Sequence, residues 1–214
     1  MNTRAFSKRS QAVTIISRIV LIVFLIGAVG CSSTKQSRNV VKSGFLDDYS
    51  ILRKGEKGEA LLIYKNPIAE WKKYTKVLID PVQLWMGKSS PLHDVPPRER
   101  SRLVTRLRGI LQDKLLPDYS IVLQPGPNVM QISVALTEAN PSGLTGYSGA
   151  ASIEAKITDA ELNILLVAAV DRRSGRLFSS EGTALEESFQ YWASTLRYRL
   201  CQWRGQQSCV KPKA

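Results

Sequence analysis

The sequence has little cysteine and histidine, and it lacks a hydrophobic run long enough to cross a membrane as a helix. Among 214 residues there are three cysteines and one histidine, His93. The hydrophobic run IVLIVFLIGAVG at 19–30 falls short of the roughly 20 residues that a spanning helix needs. No serine lies in a G-x-S-x-G turn and no glycine motif suits phosphate binding. We therefore expect no catalytic residues, no cofactor and no four-ligand metal site.

Residues 1–30 contain no acidic residue, and their pattern is that of an export signal. Arg4, Lys8 and Arg9 precede the hydrophobic run, which ends in small residues directly before Cys31. A cysteine in this position resembles the bacterial lipobox, in which the thiol receives a diacylglyceryl group before cleavage. We expect a cleaved signal peptide at 1–30 and lipid on Cys31. The alternative is an uncleaved anchor that contains a cysteine by chance. The residue after the cysteine is Ser32 and not Asp, which favours the outer membrane, facing the periplasm, as the destination of the lipoprotein.

The chain has an excess of positive charge. Thirty Lys and Arg oppose eighteen Asp and Glu, for a formal charge of +12, and four of the cations lie in 1–30, which leaves +8 (12 less 4) after cleavage. A basic surface favours anionic partners such as lipid headgroups or acidic polysaccharide. Export argues against nucleic acid as a partner, and a solvated surface without any specific partner is the plainer interpretation.

Two cysteines remain if Cys31 is acylated. Cys201 and Cys209 lie near the C-terminus, in an oxidising compartment, with seven residues between them. A disulfide would close this short loop and contribute roughly 2–3 kcal/mol in the chain-entropy model.

The remaining chain divides into a short polar segment and one domain. Residues 31–43 are expected to be a lipidated tether, and 44–214 to be a single domain. Apolar residues at helical spacing predict an amphipathic helix over Arg98–Leu116, stopped by Pro117, and a last helix from Thr183 to about Trp203.

Strand patterns fill the space between the helices. The clearest is the alternation of Met130, Ile132, Val134 and Leu136 with polar or small residues. Residues 171–175 have the composition of a turn, leading to a hairpin partner at 176–180. Further strands are predicted at 75–85 (interrupted by Pro81), 119–124, 153–158 and 163–170. The order predicts an α+β fold, with an antiparallel or mixed sheet of about five to six strands and two amphipathic helices on one face.

Polar and aromatic side chains beside these strands are candidates for binding. The candidate carboxylates are Asp47, Asp80 and Glu138, and the candidate aromatic residues are Tyr64, Trp71 and Trp85. The alternatives are that the acids bond local amides and that the rings pack in the core. A stripe of Arg98, Arg102 and Arg106 on the first helix either faces anionic headgroups or is simply solvated.

Several segments resemble one bacterial family. The segments are GFLDDYSIL at 44–52, YKNP at 64–67, KVLIDPV at 76–82, PGP at 125–127 and FQYWA at 189–193, with Trp71, Tyr74, Trp85 and the strand leading to 136–139. Together they resemble a bacterial lipoprotein family known only as domain of unknown function 3313. The resemblance implies an envelope lipoprotein without an assigned reaction, so it supplies no catalytic residues.

These observations favour a non-enzymatic binding or assembly module, anchored to a membrane through lipid on Cys31 and acting with an envelope protein partner. One alternative is a cell-wall or glycan-acting enzyme that uses Asp80 or Glu138. The other is a carrier of a lipid or small amphiphile between the sheet and the helices.

Overall fold

A computed structural model describes residues 34–88, 90–140, 149–175 and 183–212. These residues belong to one structural unit, Ser33–Ala214. Cys31, the signal segment and the strand predicted at 176–180 lie outside the described residues.

Two long helices account for the predicted helical segments. Helix α1 spans Pro97–Leu115 and helix α2 spans Thr183–Trp203. Short 3-10 turns occupy Trp71–Lys73 and Pro91–Asp94. Proline suits the first turn of α1 because the amide that it lacks would have no partner there. Among the described residues, no helix combines the length and the apolar composition needed to span a membrane.

Within the described part of the chain, nine strands form one mixed sheet. They are β1 Thr34–Gln36, β2 Arg53–Lys54, β3 Leu62–Lys65, β4 Lys76–Ile79, β5 Gln83–Leu84, β6 Ser120–Val122, β7 Val129–Asn140, β8 Ala150–Asp159 and β9 Leu165–Gly175. The order across the sheet is β2-β3-β9-β8-β7-β4-β6, with β1 beside β9 and β5 beside β7. β4 pairs in parallel with β6 and β7, as β5 does with β7, and all other pairs are antiparallel.

The expected number of five to six strands is therefore wrong, although the α+β class with two helices is confirmed. The additional strands are short: β1, β2, β3 and β5 contain three, two, four and two residues. Segments of this length have no readable alternation, so only their partners reveal them. β1 lies inside the expected tether and pairs with the end of β9, more than 130 residues away.

The expected turn at 171–175 is also wrong. β9 continues through Gly175, and Asp171, Arg172 and Arg173 pair with β8. Polar residues are compatible with a strand here because their side chains have partners inside the fold. Asp171 is 4% exposed and accepts three hydrogen bonds.

One face of the sheet packs against both helices. Ile132, Val134 and Ile157 of the sheet join Leu107 and Leu111 of α1 in a single hydrophobic cluster, the helix-side core. Phe189, Trp192 and Leu200 of α2 belong to the same cluster. The alternating apolar residues of β7 thus share one face, as the sequence predicts, and this face is the one that packs against the helices.

The opposite face, here called the second face, is covered by the chain between β1 and β2. Phe45 and Leu46 pack against Ala135, Ala168 and Val170, with half-buried apolar neighbours. Residues 40–52 therefore form a layer over the sheet. Sequence patterns did not indicate this layer, because its contacts are with strands that follow about 90 to 130 residues later.

The C-terminal tail is linked to the end of α2. Cys201 and Cys209 form a disulfide with their Cα atoms 5.7 Å apart. Gly205 between them adopts a φ of 73°, a conformation that glycine tolerates at a helix end.

The turn between β8 and β9 is held by a buried carboxylate. Asp159 is 5% exposed, and its Oδ1 accepts hydrogen bonds from the backbone N–H groups of Glu161 and Leu162. Its Oδ2 lies 2.8 Å from the Tyr74 hydroxyl and 2.9 Å from Lys73 Nζ. Burial by itself would raise the pKa of Asp159, but Lys73 and the other donors lower it to about 2.

Acid is expected to weaken the fold through this carboxylate. Because the pKa of Asp159 in the folded state lies below its usual 3.8, its contribution of about 2 kcal/mol is present above pH 4 and is lost as the pH falls from about 4 to about 2. Denaturant unfolding at a series of pH values measures this loss. The variant Asp159→Asn should be less stable at neutral pH and should show a shallower decline below pH 4. Equal declines in the two proteins would refute the assignment.

Candidate functional site

Five of the six predicted binding residues lie on the second face or in the layer that covers it. Trp71 is the exception, because it is buried in the helix-side core with its ring centroid 4.8 Å from that of Trp203. Tyr64 packs beside the second-face cluster and Trp85 contacts Phe45 edge to face at 5.6 Å. The side chain of Asp47 is 90% exposed and pairs with Lys156.

Asp80 is satisfied by the neighbouring strand. Gln131 Nε2 donates to both of its carboxylate oxygens at 3.0 Å, and Ser133 Oγ donates at 2.6 Å. The partners are therefore side chains on β7, whereas the sequence suggested local amides before Pro81. These hydrogen bonds connect Asp80, which follows β4, to the neighbouring strand β7.

Glu138 forms a polar ladder across three strands. Arg172 on β9 donates to both carboxylate oxygens at 2.7 and 2.8 Å, and Ser152 on β8 donates at 2.8 Å. Burial would raise the pKa of Glu138, but these hydrogen bonds hold it below its usual value. The hydrogen bonds with Glu138 also raise the pKa of Arg172. The pair is therefore ionised at neutral pH, with side chains 19% and 32% exposed.

Asp80 and Glu138 do not form the pair of acids that a glycosidase needs. Asp80 is bonded to Gln131 and Ser133 of β7, and Glu138 follows Ser133 by five residues on the same strand. Five residues of a strand span roughly 17 Å, so the two carboxylates are far apart. Paired catalytic acids stand roughly 5–9.5 Å apart. His93 offers no alternative, since its exposed ring lies in the 3-10 turn 3.0 Å from the Gly87 carbonyl.

Glu154 is a buried residue of the second face that sequence analysis missed. Its exposure is 0%, and its carboxylate accepts hydrogen bonds from the Ser43 N–H at 2.6 Å and from the Tyr49 hydroxyl. The Tyr49 oxygen in turn accepts from the backbone N–H groups of Gly44 and Leu46. Burial and the bond to Glu154 raise the pKa of Tyr49. In the strand predicted at 153–158, Ile153, Ala155 and Ile157 alternate with polar residues, which places Glu154 on a polar face. Only the covering layer makes that position buried.

A groove lies on the second face beside this layer. Its floor is Glu138, Ser152 and Arg172, and its walls include Val41, Trp85 and Pro91. Its volume is about 500 Å³, and Val41 is 83% exposed. A charged floor between apolar walls suits a peptide or another extended polar ligand more than a purely apolar one.

A smaller cavity separates the sheet from α2. It has a volume of about 110 Å³ and an almost wholly apolar lining that includes Val134, Ala155, Val167 and Trp192. Thr195 Oγ1 and Arg199 Nε are buried at this cavity without a hydrogen-bond partner among the described residues. Among the described residues no group of His, Cys, Asp and Glu has the arrangement of a metal site.

Comparison with known proteins identifies a family but no activity. A family described as "Protein of unknown function (DUF3313)" matches residues 41–146. Among proteins with curated descriptions, none matches the chain.

Solved structures show weak similarity only. The PelC dodecamer from Paraburkholderia phytofirmans is 11% identical, with 68% of this chain and 96% of that chain covered and a TM-score of 0.44. A DUF4136 family protein from Bacteroides thetaiotaomicron VPI-5482 is 8% identical, with 66% and 95% covered and a TM-score of 0.40. A lipoprotein from Neisseria meningitidis is 11% identical, with 57% and 97% covered and a TM-score of 0.32. Similarity at this level is too low to transfer a ligand or an oligomeric state.

Proposed function

We propose that this chain, which belongs to the DUF3313 family of unknown function, is an exported lipoprotein that carries lipid on Cys31 and acts as a binding or assembly module of the cell envelope. The lipid would hold the domain on a membrane, with the outer membrane, facing the periplasm, as the expected location. The partner would be another envelope protein.

The position of β1 supports this proposal. Thr34 is 4% exposed, and its carbonyl and hydroxyl oxygens accept hydrogen bonds from Arg173 at 3.0–3.2 Å. Three residues lead from Cys31 to Thr34, and a fully extended chain of that length spans at most about 10 Å. A lipid on Cys31 would therefore attach to the membrane directly at the edge of the folded sheet. Such a short attachment raises the effective concentration of the domain toward its neighbours.

Substitution of the cysteines tests the anchor. Cys31→Ser removes the thiol that accepts the lipid, so we expect loss of the acyl mass and of membrane association, with uncleaved precursor accumulating. The double variant Cys201→Ser/Cys209→Ser is the matched control and should remain lipidated. Intact-mass analysis of protein extracted from separated inner and outer membranes measures both outcomes. An unmodified Cys31 in the wild-type protein would refute the proposal.

The groove on the second face is the proposed contact surface for a protein partner. Its floor offers the ionised Glu138–Arg172 pair, and its rim offers Val41 and Trp85, which are 83% and 37% exposed. Exposed apolar side chains gathered at a groove can bury their surface against a partner, and the charged pair on the floor would add specificity through electrostatic complementarity. The carboxylates of the sheet are held by protein donors, so binding accounts for the arrangement better than catalysis does.

Charge introduced at the rim should abolish partner capture. We expect Val41→Glu to lose a protein that is crosslinked to the wild type in intact cells and co-purified from detergent extracts. Ile68→Glu is the matched control, because Ile68 is 85% exposed in the loop beyond β3, away from the groove. Equal recovery of the partner with both variants would place the contact elsewhere. A wild-type protein without any partner would contradict the assembly role.

The two alternatives have less support. A glycan-acting enzyme needs an acid free to reach its substrate, whereas Asp80 and Glu138 each accept hydrogen bonds from two neighbouring side chains. Turnover of a glycan that is lost in Asp80→Asn would still establish it. A carrier of long-chain lipids needs more room, because the cavity of 110 Å³ is smaller than one of about 150 Å³ that accepts benzene.

A further inference from the structure

The end of the domain that contains Thr34 is also the end at which both helices begin. Thr34 pairs with Gly175 at the end of β9, and Asn140 pairs with Ala150 at the same end of the strands. Helix α2 follows β9, and Glu186 in its first turn binds Arg106 of α1. We call this end of the domain the Thr34 end.

Helix α1 extends further in this direction than α2. Two ion pairs, Arg106–Glu186 and Asp118–Arg197, align the helices in parallel. Nine residues of α1 precede Arg106, but only three residues of α2 precede Glu186. The difference of six residues corresponds to roughly 9 Å along a helix. The first turns of α1 therefore project beyond the start of α2 at the Thr34 end.

The projecting turns are rich in arginine. Residues 97–103 contain three arginines, Arg98, Arg100 and Arg102, and one acid, Glu99, so their net charge is +2. Arg102 lies 3.3 Å from Glu99 with both side chains largely exposed, and Arg100 contacts Met86 Sδ at 3.1 Å. Arg98 has no hydrogen-bond or ion-pair partner among the described residues.

This charge distribution does not serve the stability of the helix. The N-terminus of a helix carries a partial positive charge, so cations are unfavourable there and favourable at the C-terminus. Lys114 in the last turn of α1 follows that rule, whereas the three arginines oppose it. An external anion at this end would remove the conflict, since it would be attracted by the guanidinium groups and by the helix terminus alike.

We propose that Arg98, Arg100 and Arg102 contact the phosphates of the anionic lipid surface in which the lipid of Cys31 is inserted. This proposal rests on the lipid anchor proposed above. The chain from Cys31 to Thr34 is at most about 10 Å long, so the Thr34 end must lie close to the bilayer. Guanidinium groups bind phosphate oxygens in pairs, which orients the protein as well as attracting it. The domain would then be oriented with its Thr34 end toward the membrane and the β8–β9 turn away from it.

Hydrogen exchange on vesicles tests this orientation. Full-length mature lipoprotein is reconstituted into vesicles of phosphatidylcholine alone, or of phosphatidylcholine with a quarter of phosphatidylglycerol. We expect severalfold slower exchange of the amides of residues 98–103 on the anionic vesicles than on the neutral ones. Molar salt should remove the difference, because it shortens the screening length to about 3 Å.

Charge-matched variants identify the residues responsible. Arg98→Gln/Arg102→Gln should abolish the slower exchange, whereas Lys72→Gln/Lys76→Gln, which removes two exposed cations at the opposite end, should keep it. Equal exchange of wild-type protein on the two kinds of vesicle would overturn the proposal and leave the arginines as solvated residues. So would a slowing that survives in Arg98→Gln/Arg102→Gln.

Failure of the anchor is distinguishable from failure of the arginine surface. Flotation with neutral vesicles reports the lipid on Cys31, because neutral lipid offers the arginines no net charge. A protein that does not float with neutral vesicles contradicts the anchor. In that case flotation with anionic vesicles decides the arginine surface: loss of flotation in Arg98→Gln/Arg102→Gln supports it, and absence of flotation in the wild type overturns it.

Discussion

Replacement of Asp171 by alanine is expected to lower the free energy of unfolding by about 3–5 kcal/mol. Its Oδ1 accepts hydrogen bonds from Gln36 Nε2 at 2.6 Å and from the Leu61 N–H at 3.1 Å, and its Oδ2 accepts from Trp192 Nε1 at 2.7 Å. One carboxylate thus connects β1, the chain entering β3, and α2 to strand β9. Its removal takes an acceptor from all three donors. The exposed Gln36 side chain keeps the Glu59 carbonyl as an acceptor, whereas the Leu61 N–H and the Trp192 indole N–H are left unsatisfied, and each buried unsatisfied group costs about 1–3 kcal/mol.

Denaturant unfolding of purified protein measures the effect of Asp171→Ala. Asp47→Ala is the matched control, since the side chain of Asp47 is 90% exposed and its ion pair with Lys156 lies at the surface. Exposed ion pairs contribute about 0–1 kcal/mol, so the control should be nearly neutral. Asp171→Asn keeps one acceptor and should fall between the two. A loss with Asp171→Ala no larger than that of the control would show that the three donors find other acceptors.

Replacement of Glu154 by alanine is expected to release the layer that covers the second face. Glu154 holds this layer through the Ser43 N–H and the Tyr49 hydroxyl, both from the segment 43–49. Loss of the carboxylate leaves these two partly buried donors without their acceptor. We expect a loss of about 2–4 kcal/mol in stability, and much faster exchange of the amides of residues 43–49 than of those in β7.

Two further variants show whether the effect comes from these bonds. Glu154→Gln retains one acceptor oxygen and should keep part of the protection. Lys156→Gln changes a residue of the same strand and face. Its contacts with the layer, an ion pair with the exposed Asp47 and a cation–π contact at 5.7 Å from the Phe45 ring centroid, contribute little at the surface, so the segment 43–49 should remain protected. Wild-type exchange rates in Glu154→Ala would show that apolar contacts alone hold the layer.

The structure explains the segment that carries much of the family resemblance. Gly44 has a φ of +92°, which glycine adopts without strain, and the Trp85 indole N–H donates to the carbonyl of Ser43. Phe45 and Leu46 fill the second-face cluster, and Tyr49 bonds Glu154. Asp47 and Asp48 are exposed to solvent. These residues build the covering layer, and none of them is arranged as a catalytic group.

The sequence by itself determined the elements whose pattern is local. The helical spacing of apolar residues located α1 within one residue at each end, and the alternation in β7 identified its buried face. Two cysteines with seven residues between them indicated the disulfide that the structure contains. The pattern of an export signal, read from residues 1–31, is equally local, and it supplies the proposal for Cys31. In each case neighbouring residues hold all the information.

Only the tertiary structure decided the features that depend on distant partners. Thr34 and Gly175 are far apart in the chain, so nothing near Thr34 indicates that a polar segment forms a strand. Asp171 and Glu154 look like residues of a turn and of a solvated face, and both are buried because remote segments bring donors to them. A carboxylate is stable inside a protein only where such donors surround it. The pairing of segments more than 100 residues apart supplies these donors, and local periodicity carries no record of that pairing.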